Sequence, residues 1–226
     1  MKKINYTHYC VTFLDILGFK NLVGKEDAST IHSIFNNIRY AKKLIRGVPG
    51  EDTWWEQMGK KTKIYFFSDS IVIAIPMSEP MALELVASNC MLLQHTLWYY
   101  GLPTWVRGGI AIGDLYCGNS EIFGPALIDA YMIEETVAKY PRIVMHESTY
   151  QAGIDNTDNR QDIIFISSQP NELRMVETLK YFDYEPQRSR VLRSIRDMMH
   201  KETNPSIREK FDWVIKYHGI DLNLSE

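Results

Sequence analysis

The stretch HYCVTFLDI at residues 8–16 decides the fold, because it is an apolar run that ends on a carboxylate. Such a run predicts a buried strand with Asp15 near its end. Further along, TKIYFF (62–67) and SIVIAIP (70–76) predict two more strands, joined by a turn that contains Asp69. The second region is therefore a predicted β-hairpin, and both regions bring an aspartate to the end of an apolar strand.

The rest of the chain alternates between helical and strand-like patterns. Apolar residues at helical spacing predict helices over 27–44, 79–100 and 125–138. We expect Ser29 or Thr30 to cap the first of these helices. Strand patterns occur at 105–117, 121–123, 142–146 and 162–167. The order β-α-β-β-α-β, followed by further helix and strand, predicts an α+β fold with a ferredoxin-like core, in which one antiparallel-rich sheet carries its helices on one face.

The composition changes after residue 168. Residues 169–226 are charged and mostly helical by pattern, with breaks at Pro186 and Pro205. We therefore predict a core domain over 1–168 and a helical C-terminal extension over 169–226 that packs on or beside it.

Composition and charge exclude several classes of protein. The chain has 226 residues, of which 45% are hydrophobic and 23% charged, as in ordinary folded domains. A net charge of −3 argues against a DNA- or RNA-binding platform. The cysteines at 10, 90 and 117 form no CxxC pair, and the histidines show no metal-ligand spacing, so we expect neither a disulfide nor a zinc site. The N-terminal stretch has no long apolar run, so we expect a cytoplasmic protein without membrane contact.

Asp15 and Asp69 are the strongest candidates for chemistry. Two carboxylates at the ends of neighbouring apolar strands would repel each other unless a cation lay between them. Hard divalent ions prefer carboxylate and carbonyl oxygens, so the pattern indicates a Mg²⁺ or Mn²⁺ site. The turn at Gly18 directly follows, and backbone N–H groups in such a turn can hold phosphate oxygens. The alternatives are two solvated turn aspartates and a tight turn that simply needs glycine.

Four segments carry a resemblance to a known family. FLDILGF (13–19) resembles the first metal motif of class III nucleotidyl cyclases, and FFSDSIVIAIP (66–76) resembles their second. VRGGIAIGDLYCGN (106–119) and FGPALIDAYMIEE (123–135) resemble the strand and helix that follow. The segments lie in the family's order across residues 8–145. The resemblance implies that residues 1–168 are a nucleotidyl cyclase catalytic domain.

The departures from this family concern the groups that read the base and stabilise the phosphate. Tyr65 stands where purine cyclases carry a lysine, and Pro125 where they carry an acid. Ile128 replaces the ribose-contacting asparagine, and Met132 replaces the phosphate-stabilising arginine. Together with VAKYPRIV (137–144), this pattern resembles the bacterial pyrimidine cyclases of Pycsar antiphage defence, which make cyclic UMP or cyclic CMP for a separate effector.

The resemblance implies a reaction in which the 3′-hydroxyl of a nucleoside triphosphate attacks its own α-phosphate and pyrophosphate leaves. Two Mn²⁺ or Mg²⁺ ions per site would be held by Asp15, Asp69 and the Ile16 carbonyl. Arg107 is the first choice for the cation that replaces the missing arginine, with an ordinary salt bridge at a strand edge as the alternative. Other candidate cations are Arg142, Lys20 and Lys63.

The predicted nucleotide contacts are Phe13, Gly18, Phe19, Tyr65 and Arg142. A tyrosine at position 65 would narrow the base pocket toward a pyrimidine, although a strand tyrosine facing the core is the simpler interpretation. The resemblance also implies a homodimer with composite sites, in which Tyr65 acts on the nucleotide held by the partner's metal site.

Three functions stay open from the sequence. A uridylate cyclase is preferred over a cytidylate cyclase. An adenylate or guanylate cyclase with an atypical pocket is disfavoured by the residues at 65 and 125. A degenerate cyclase fold that only binds nucleotide or regulates a partner is favoured by Met132 and disfavoured by the retained Asp15 and Asp69.

Overall fold

A mixed β-sheet forms the centre of the computed structural model, which describes residues 4–47, 49–51, 53–100, 104–157, 163, 165–179 and 185–220. Its strands are β1 Thr7–Ile16, β2 Lys63–Phe67, β3 Ser70–Pro76, β4 Val106–Cys117, β5 Ile122–Phe123, β6 Ile143–His146, β7 Ile166–Gln169 and β8 Leu173–Val176. The strand order is β2-β3-β1-β4-β6-β8-β7, and β5 pairs with β4 outside this path. Only the described pair β4–β6 is parallel, so the antiparallel-rich α+β fold is confirmed.

The helices are α1 Phe19–Lys25, α2 Ala28–Arg46, α3 Trp54–Lys61, α4 Ala82–Tyr100, α5 Pro125–Thr136, α6 Glu147–Ile154, α7 Glu185–Lys201 and α8 Pro205–His218. The predicted cap of α2 was wrong, because the Asp27 side chain accepts a 2.8 Å hydrogen bond from the Thr30 N–H. The sequence did not predict α3. The strand expected at 162–167 is found at Ile166–Gln169, and residues 162 and 164 lie outside the described part of the chain.

The sheet has two faces with different coverings. The first face carries Leu14, Ile71 and Ile73, and these pack with α2 and α4 in one buried cluster. The second face carries Val11 and Ala111, which pack instead against α5. The prediction of helices on one face was therefore wrong. Alternation along β1 places Phe13 and Asp15 on this second face, because side chains two residues apart point the same way.

A glycine allows α5 to approach the sheet closely. A Cβ at Gly109 on β4 would collide with the carbonyl oxygen of Ala130 and with the side chain of Ile133. Since both partners belong to α5, any larger residue at 109 would push the helix away from the strand. This contact fixes the helix beside the end of β1 that carries Asp15.

The C-terminal helices build a third cluster beside the sheet. Val191 and Ile195 from α7 and Phe211 and Val214 from α8 pack with Trp98 and Trp105. The sheet continues through the predicted boundary at residue 168, since β7 spans it and β8 pairs with β6. The division into two domains stays a prediction. Among the described helices, none combines the length and the apolar character needed to cross a membrane.

Candidate active site

The strand register brings the predicted metal ligands to one corner of the sheet. Asp15 at the end of β1 pairs with Ser70 on β3 and with Arg107 on β4. The turn between β2 and β3 holds Asp69, whose carbonyl accepts a 3.0 Å hydrogen bond from the Ile16 N–H. Ser68 in the same turn has a positive φ of 54°. The backbone alone therefore keeps the two aspartates side by side.

Arg107 links this corner to α5. Its guanidinium donates to Asp15 Oδ2 from both Nε and Nη2 at 3.3 Å. The same Nη2 lies 2.8 Å from Glu134 Oε1 in an ion pair that lacks the angle of a directed hydrogen bond. Because β4 lies between β1 and β6, Arg107 is on a central strand and not at a strand edge. Glu134, which is 3% exposed, was not among the residues that the sequence singled out, although it lies within FGPALIDAYMIEE.

Charge is crowded at this corner. Burial raises the pKa of the Asp15 carboxyl, the Arg107 guanidinium opposes that rise, and nearby Asp69 adds to it. Burial likewise raises the pKa of Glu134, with Arg107 opposing and Asp15 adding to the rise. Asp15 and Glu134 thus share one guanidinium while Asp69 lies nearby, and a further cation would relieve the repulsion among the three carboxylates.

The donor set fits a hard divalent ion that is shared with a substrate. No group of three or more histidine, cysteine, aspartate or glutamate side chains in the described residues forms a protein-only metal cage. Mg²⁺ is commonly bound through one or two carboxylates and completed by substrate phosphates. Asp15 and Asp69 offer those two carboxylates.

The turn after β1 presents backbone rather than side chains. Gly18 has φ 77° and ψ 13°, a left-handed conformation that glycine adopts without strain, and it precedes the first residue of α1. The side chain of Phe19 is buried and packs edge-to-face on Phe35 at 5.9 Å. The Phe19 side chain therefore belongs to the core, and first-turn N–H groups of a helix lack intrahelical acceptors.

Tyr65 lies on the same face of the sheet as Asp15. Register places Tyr65 opposite Val72, Val72 opposite Phe13, and Phe13 opposite Gly109, so these residues form one row across four strands. The Tyr65 hydroxyl donates a 2.6 Å hydrogen bond to the Gly118 carbonyl. Burial, together with the neighbouring Cys117, raises the pKa of Tyr65 to about 12. The phenol therefore stays protonated at neutral pH, and its oxygen can still accept a hydrogen bond.

The α5 positions that correspond to the family's ribose-contacting asparagine and phosphate-stabilising arginine are exposed and apolar. Ile128 is 62% exposed and Met132 is 44% exposed. Tyr131 lies between them and packs edge-to-face on Phe13 at 5.3 Å. The departures identified in the sequence thus lie at the surface of α5 and do not fill the core.

The other predicted cations, Arg142, Lys20 and Lys63, make their described contacts away from Asp15 and Asp69. Arg142 donates to the Val137 carbonyl at 3.0 Å, and its guanidinium lies 5.6 Å from the Tyr140 ring centroid and 5.8 Å from that of Trp213. The described contacts of Arg142 do not reach Asp15 or Asp69. Lys20 is exposed on α1. Lys63 lies near Cys117, two residues before Tyr65 on β2 and on the side of Tyr65 that is away from Asp15. Of these cations, only Arg107 contacts a predicted metal ligand in the described residues.

No protein-family model and no curated protein matches this sequence. Solved structures do resemble it. The adenylyl cyclase CyaB from P. aeruginosa aligns with 77% of this chain and 95% of its own, with a TM-score of 0.53 and 17% identity. A non-canonical dimeric guanylyl cyclase domain of the RhoGC fusion protein from the aquatic fungus Blastocladiella emersonii aligns with 76% of this chain and 94% of its own, with a TM-score of 0.55 and 15% identity.

A third structure, the guanylate cyclase domain of RhGC from Catenaria anguillulae in complex with GTP, aligns with 77% of this chain and 98% of its own. Its TM-score is 0.52 and its identity is 15%. At such low identity a structural likeness defines the fold and leaves the activity open. This chain therefore has the fold of class III adenylyl and guanylyl cyclase domains.

Proposed function

We propose that this protein is a metal-dependent nucleotidyl cyclase that converts UTP into 3′,5′-cyclic UMP and pyrophosphate. The observation that carries the proposal is the pair Asp15 and Asp69, joined through the Ile16 N–H and held at one corner of a cyclase fold. The fold alone would suit many functions, whereas two adjacent carboxylates at this corner suit the binding of a metal–triphosphate complex.

Asp15, Asp69 and the carbonyl of Ile16 would hold two Mg²⁺ or Mn²⁺ ions. When bound, such ions lower the pKa of an attacking hydroxyl and neutralise the charge of a triphosphate. The N–H groups at Gly18 and Phe19 would bind phosphate oxygens. Arg107, already oriented by Asp15 and Glu134, would place its guanidinium near the negative charge that develops at the α-phosphate.

The choice of a pyrimidine rests on the base end of the site. Tyr65 presents an aromatic ring and a protonated hydroxyl on the same face as Asp15. Phe13 and Arg142 would be further nucleotide contacts. A bulky ring favours the smaller base, and its hydroxyl can donate or accept a hydrogen bond. UTP is our choice, and CTP is the alternative because the two bases differ only in the donors and acceptors along one ring edge.

A purine nucleotide is the second candidate substrate. The structural neighbours described above are adenylyl and guanylyl cyclases, which favours ATP or GTP. The residues at 65 and 125 oppose it, since tyrosine and proline replace the charged groups. A nucleotide-binding module without activity is the remaining candidate, and it is favoured by Met132.

We further infer a homodimer with composite sites. Ile128, Tyr131 and Met132 form an exposed apolar strip on α5, directly beside the catalytic corner. A second copy would cover this strip and bring its own Tyr65 to the nucleotide. Light scattering at several concentrations tests this inference, and a monomer with full activity would overturn it.

From the resemblance to Pycsar cyclases, we propose that the product is a messenger for antiphage defence that acts on a separate effector in the cytoplasm. Neither nucleic acid nor a membrane has a part in this proposal. Phage challenge of cells that carry the protein with its effector tests the role: protection should be lost with Asp69→Asn.

Product identification tests the activity itself. Purified protein is incubated separately with ATP, GTP, CTP and UTP in the presence of Mn²⁺, and the products are identified by mass. We expect cyclic UMP from UTP and none from Asp69→Asn. A cyclic purine product would support the proposed metal site but reject the proposal that Tyr65 selects a pyrimidine. The absence of product from all four nucleotides would favour a nucleotide-binding module without activity.

A further inference from the structure

A cleft of about 510 Å³ opens beside Tyr65, at the end of the sheet formed by β2 and β3. The sheet lines it through Tyr65, Phe67 and Val72, and the hairpin of β4 and β5 lines it through Asn119, Ser120 and Ile122. The cleft therefore joins the predicted base-reading residue to the tip of a hairpin that the proposed function does not otherwise use.

The tip of the β4–β5 hairpin is held against Tyr65. The two strands pair up to the tip, where the Gly118 N–H donates a 2.8 Å hydrogen bond to the Glu121 carbonyl. The Tyr65 hydroxyl donates a 2.6 Å hydrogen bond to the Gly118 carbonyl. Asn119 directly follows Gly118, so its backbone is fixed next to the hydroxyl end of the Tyr65 ring.

The lining of the cleft suits a heterocyclic base better than a phosphate. Tyr65 and Phe67 are aromatic, and Val72 is aliphatic. Among the described lining residues the one charged side chain is Lys42, whose Nζ already donates a 3.0 Å hydrogen bond to the Ile64 carbonyl. An aromatic and apolar cleft with a few neutral polar groups is the usual environment of a flat ligand that is oriented by hydrogen bonds.

Asn119 has the side chain that matches the edge of such a base. It is exposed, and among the described residues none hydrogen-bonds to its carboxamide. A carboxamide offers an acceptor and a donor side by side, whereas the hydroxyl of neighbouring Ser120 offers a single donor. Uracil presents the complementary pair, the N3–H donor and the O4 acceptor, on one ring edge.

We propose that Asn119 reads the edge of the pyrimidine base, accepting a hydrogen bond from N3–H of uracil and donating one to O4. The inference rests on the proposed function, because it assumes a uridine nucleotide beside Tyr65. Pro125, at the position of the acid in purine cyclases, has no side-chain donor or acceptor. Since Tyr65 and Asn119 belong to one chain, they reach the same base whether the metal ions come from that chain or from its partner.

Binding measurements without turnover test this contact. The analogue 3′-deoxy-UTP lacks the attacking hydroxyl, and its N3-methyl derivative also lacks the N3–H donor. In calorimetry with Mn²⁺, we expect the wild type to bind 3′-deoxy-UTP about tenfold more tightly than the methylated compound, the scale of one hydrogen bond. In Asn119→Ala this ratio should fall to about one, because only the binding of 3′-deoxy-UTP weakens.

A second variant guards against a change in the hairpin itself. Asn119→Asp keeps the shape of the side chain and its preference for a turn, but it turns an acceptor toward O4 and should weaken 3′-deoxy-UTP binding at least as much. Asn36→Ala is the matched control, since Asn36 is exposed on α2 and accepts a 2.8 Å hydrogen bond from Arg39. It should keep the wild-type ratio.

The outcomes separate this contact from the proposed activity. An unchanged ratio in Asn119→Ala, or an equal loss of affinity for both compounds, would overturn the proposal, as would a wild type that binds both compounds equally. Binding of 3′-deoxy-UTP without any cyclic product from UTP would reject the proposed activity, while the ratio would still decide the role of Asn119. A wild type that binds neither compound would reject both.

Discussion

The two ends of the candidate site are built differently. At the carboxylate end, Asp15 and Asp69 are fixed by strand register, and Arg107 ties Asp15 to Glu134 on α5. At the other end, Tyr65 lies on the sheet at the predicted base-reading position and its hydroxyl contacts a loop carbonyl, while Ile128 and Met132, at the predicted ribose and phosphate positions, are exposed on α5. The first end is charged and is held in place by backbone pairing. The second end is aromatic and apolar, and its α5 side chains are exposed to solvent.

In the proposed function, the residues that would bind the metal ions therefore lie apart from those that would select the base. Backbone register cannot change at one position without moving a whole strand, so a pair of carboxylates positioned by it tolerates little variation. Exposed side chains on a helix and a sheet face can change singly at small cost in stability. In the proposed function, the same corner can therefore serve different bases when only base-reading residues such as Tyr65 and Pro125 differ.

The largest effect is expected at the carboxylate end. Asp69→Asn keeps the size of the side chain and removes its charge, so the turn should persist while metal binding is lost. We expect product formation to fall by more than about a thousandfold, as befits several kcal/mol of lost charge stabilisation. Asp155→Asn, at an exposed aspartate that caps α6, provides the control. If Asp69→Asn turned over substrate as fast as the Asp155→Asn control, Asp69 would not be a metal ligand.

A paired comparison of Arg107 and Glu134 sharpens the assignment of roles. Arg107→Gln removes a cation that would act on the phosphate, and we expect a loss of about a hundredfold in kcat, the scale of one lost transition-state donor. Glu134→Gln only loosens the guanidinium, so its loss should be smaller, about tenfold. Steady-state kinetics of both variants provide the measurement. Equal losses would indicate that the ion pair is structural and that another cation serves the reaction.

The sequence predicted the corner because both aspartates stand at the ends of apolar runs. Strand patterns are local, and a turn of two residues between β2 and β3 leaves little choice of pairing. The cap at Asp27, rather than at Ser29 or Thr30, is one position from the start of α2 and shows how little a pattern fixes a helix end.

The groups that surround the corner could not be predicted in the same way. Arg107 on β4 contacts a residue 92 positions earlier on β1, and Glu134 reaches the same guanidinium from α5. A single acid in a helical pattern looks like any solvated residue, and only the close approach of α5 at Gly109 buries it.

The crowded charge at this end also predicts a pH dependence. Because burial and Asp69 raise the pKa of Asp15, the folded protein holds that proton more tightly than the unfolded chain does. The resulting destabilisation is absent at low pH and grows as the pH rises through the ordinary aspartate range toward the raised pKa.

Without divalent ions, Asp15→Asn should therefore have a higher Tm than the wild type near neutral pH, and the gain should shrink as the pH approaches about 3. Thermal unfolding across this range measures the gain. A gain that is the same at every pH would show that burial of the charge is not its cause. Addition of Mn²⁺ should raise the Tm of the wild type and have less effect on the variant.

The smallest effect is expected at the base end, where substitution should change preference rather than rate. Tyr65→Lys replaces an aromatic ring with a flexible cation, and we expect the ratio of pyrimidine to purine turnover to fall about tenfold, the scale of a local change in pocket shape. Tyr65→Phe removes only the hydroxyl that donates to the Gly118 carbonyl. If the ring alone narrows the pocket, Tyr65→Phe should keep the pyrimidine preference and change only the ratio of UTP to CTP. Competition assays with paired nucleotides give both ratios, and an unchanged preference in Tyr65→Lys would show that Tyr65 does not read the base.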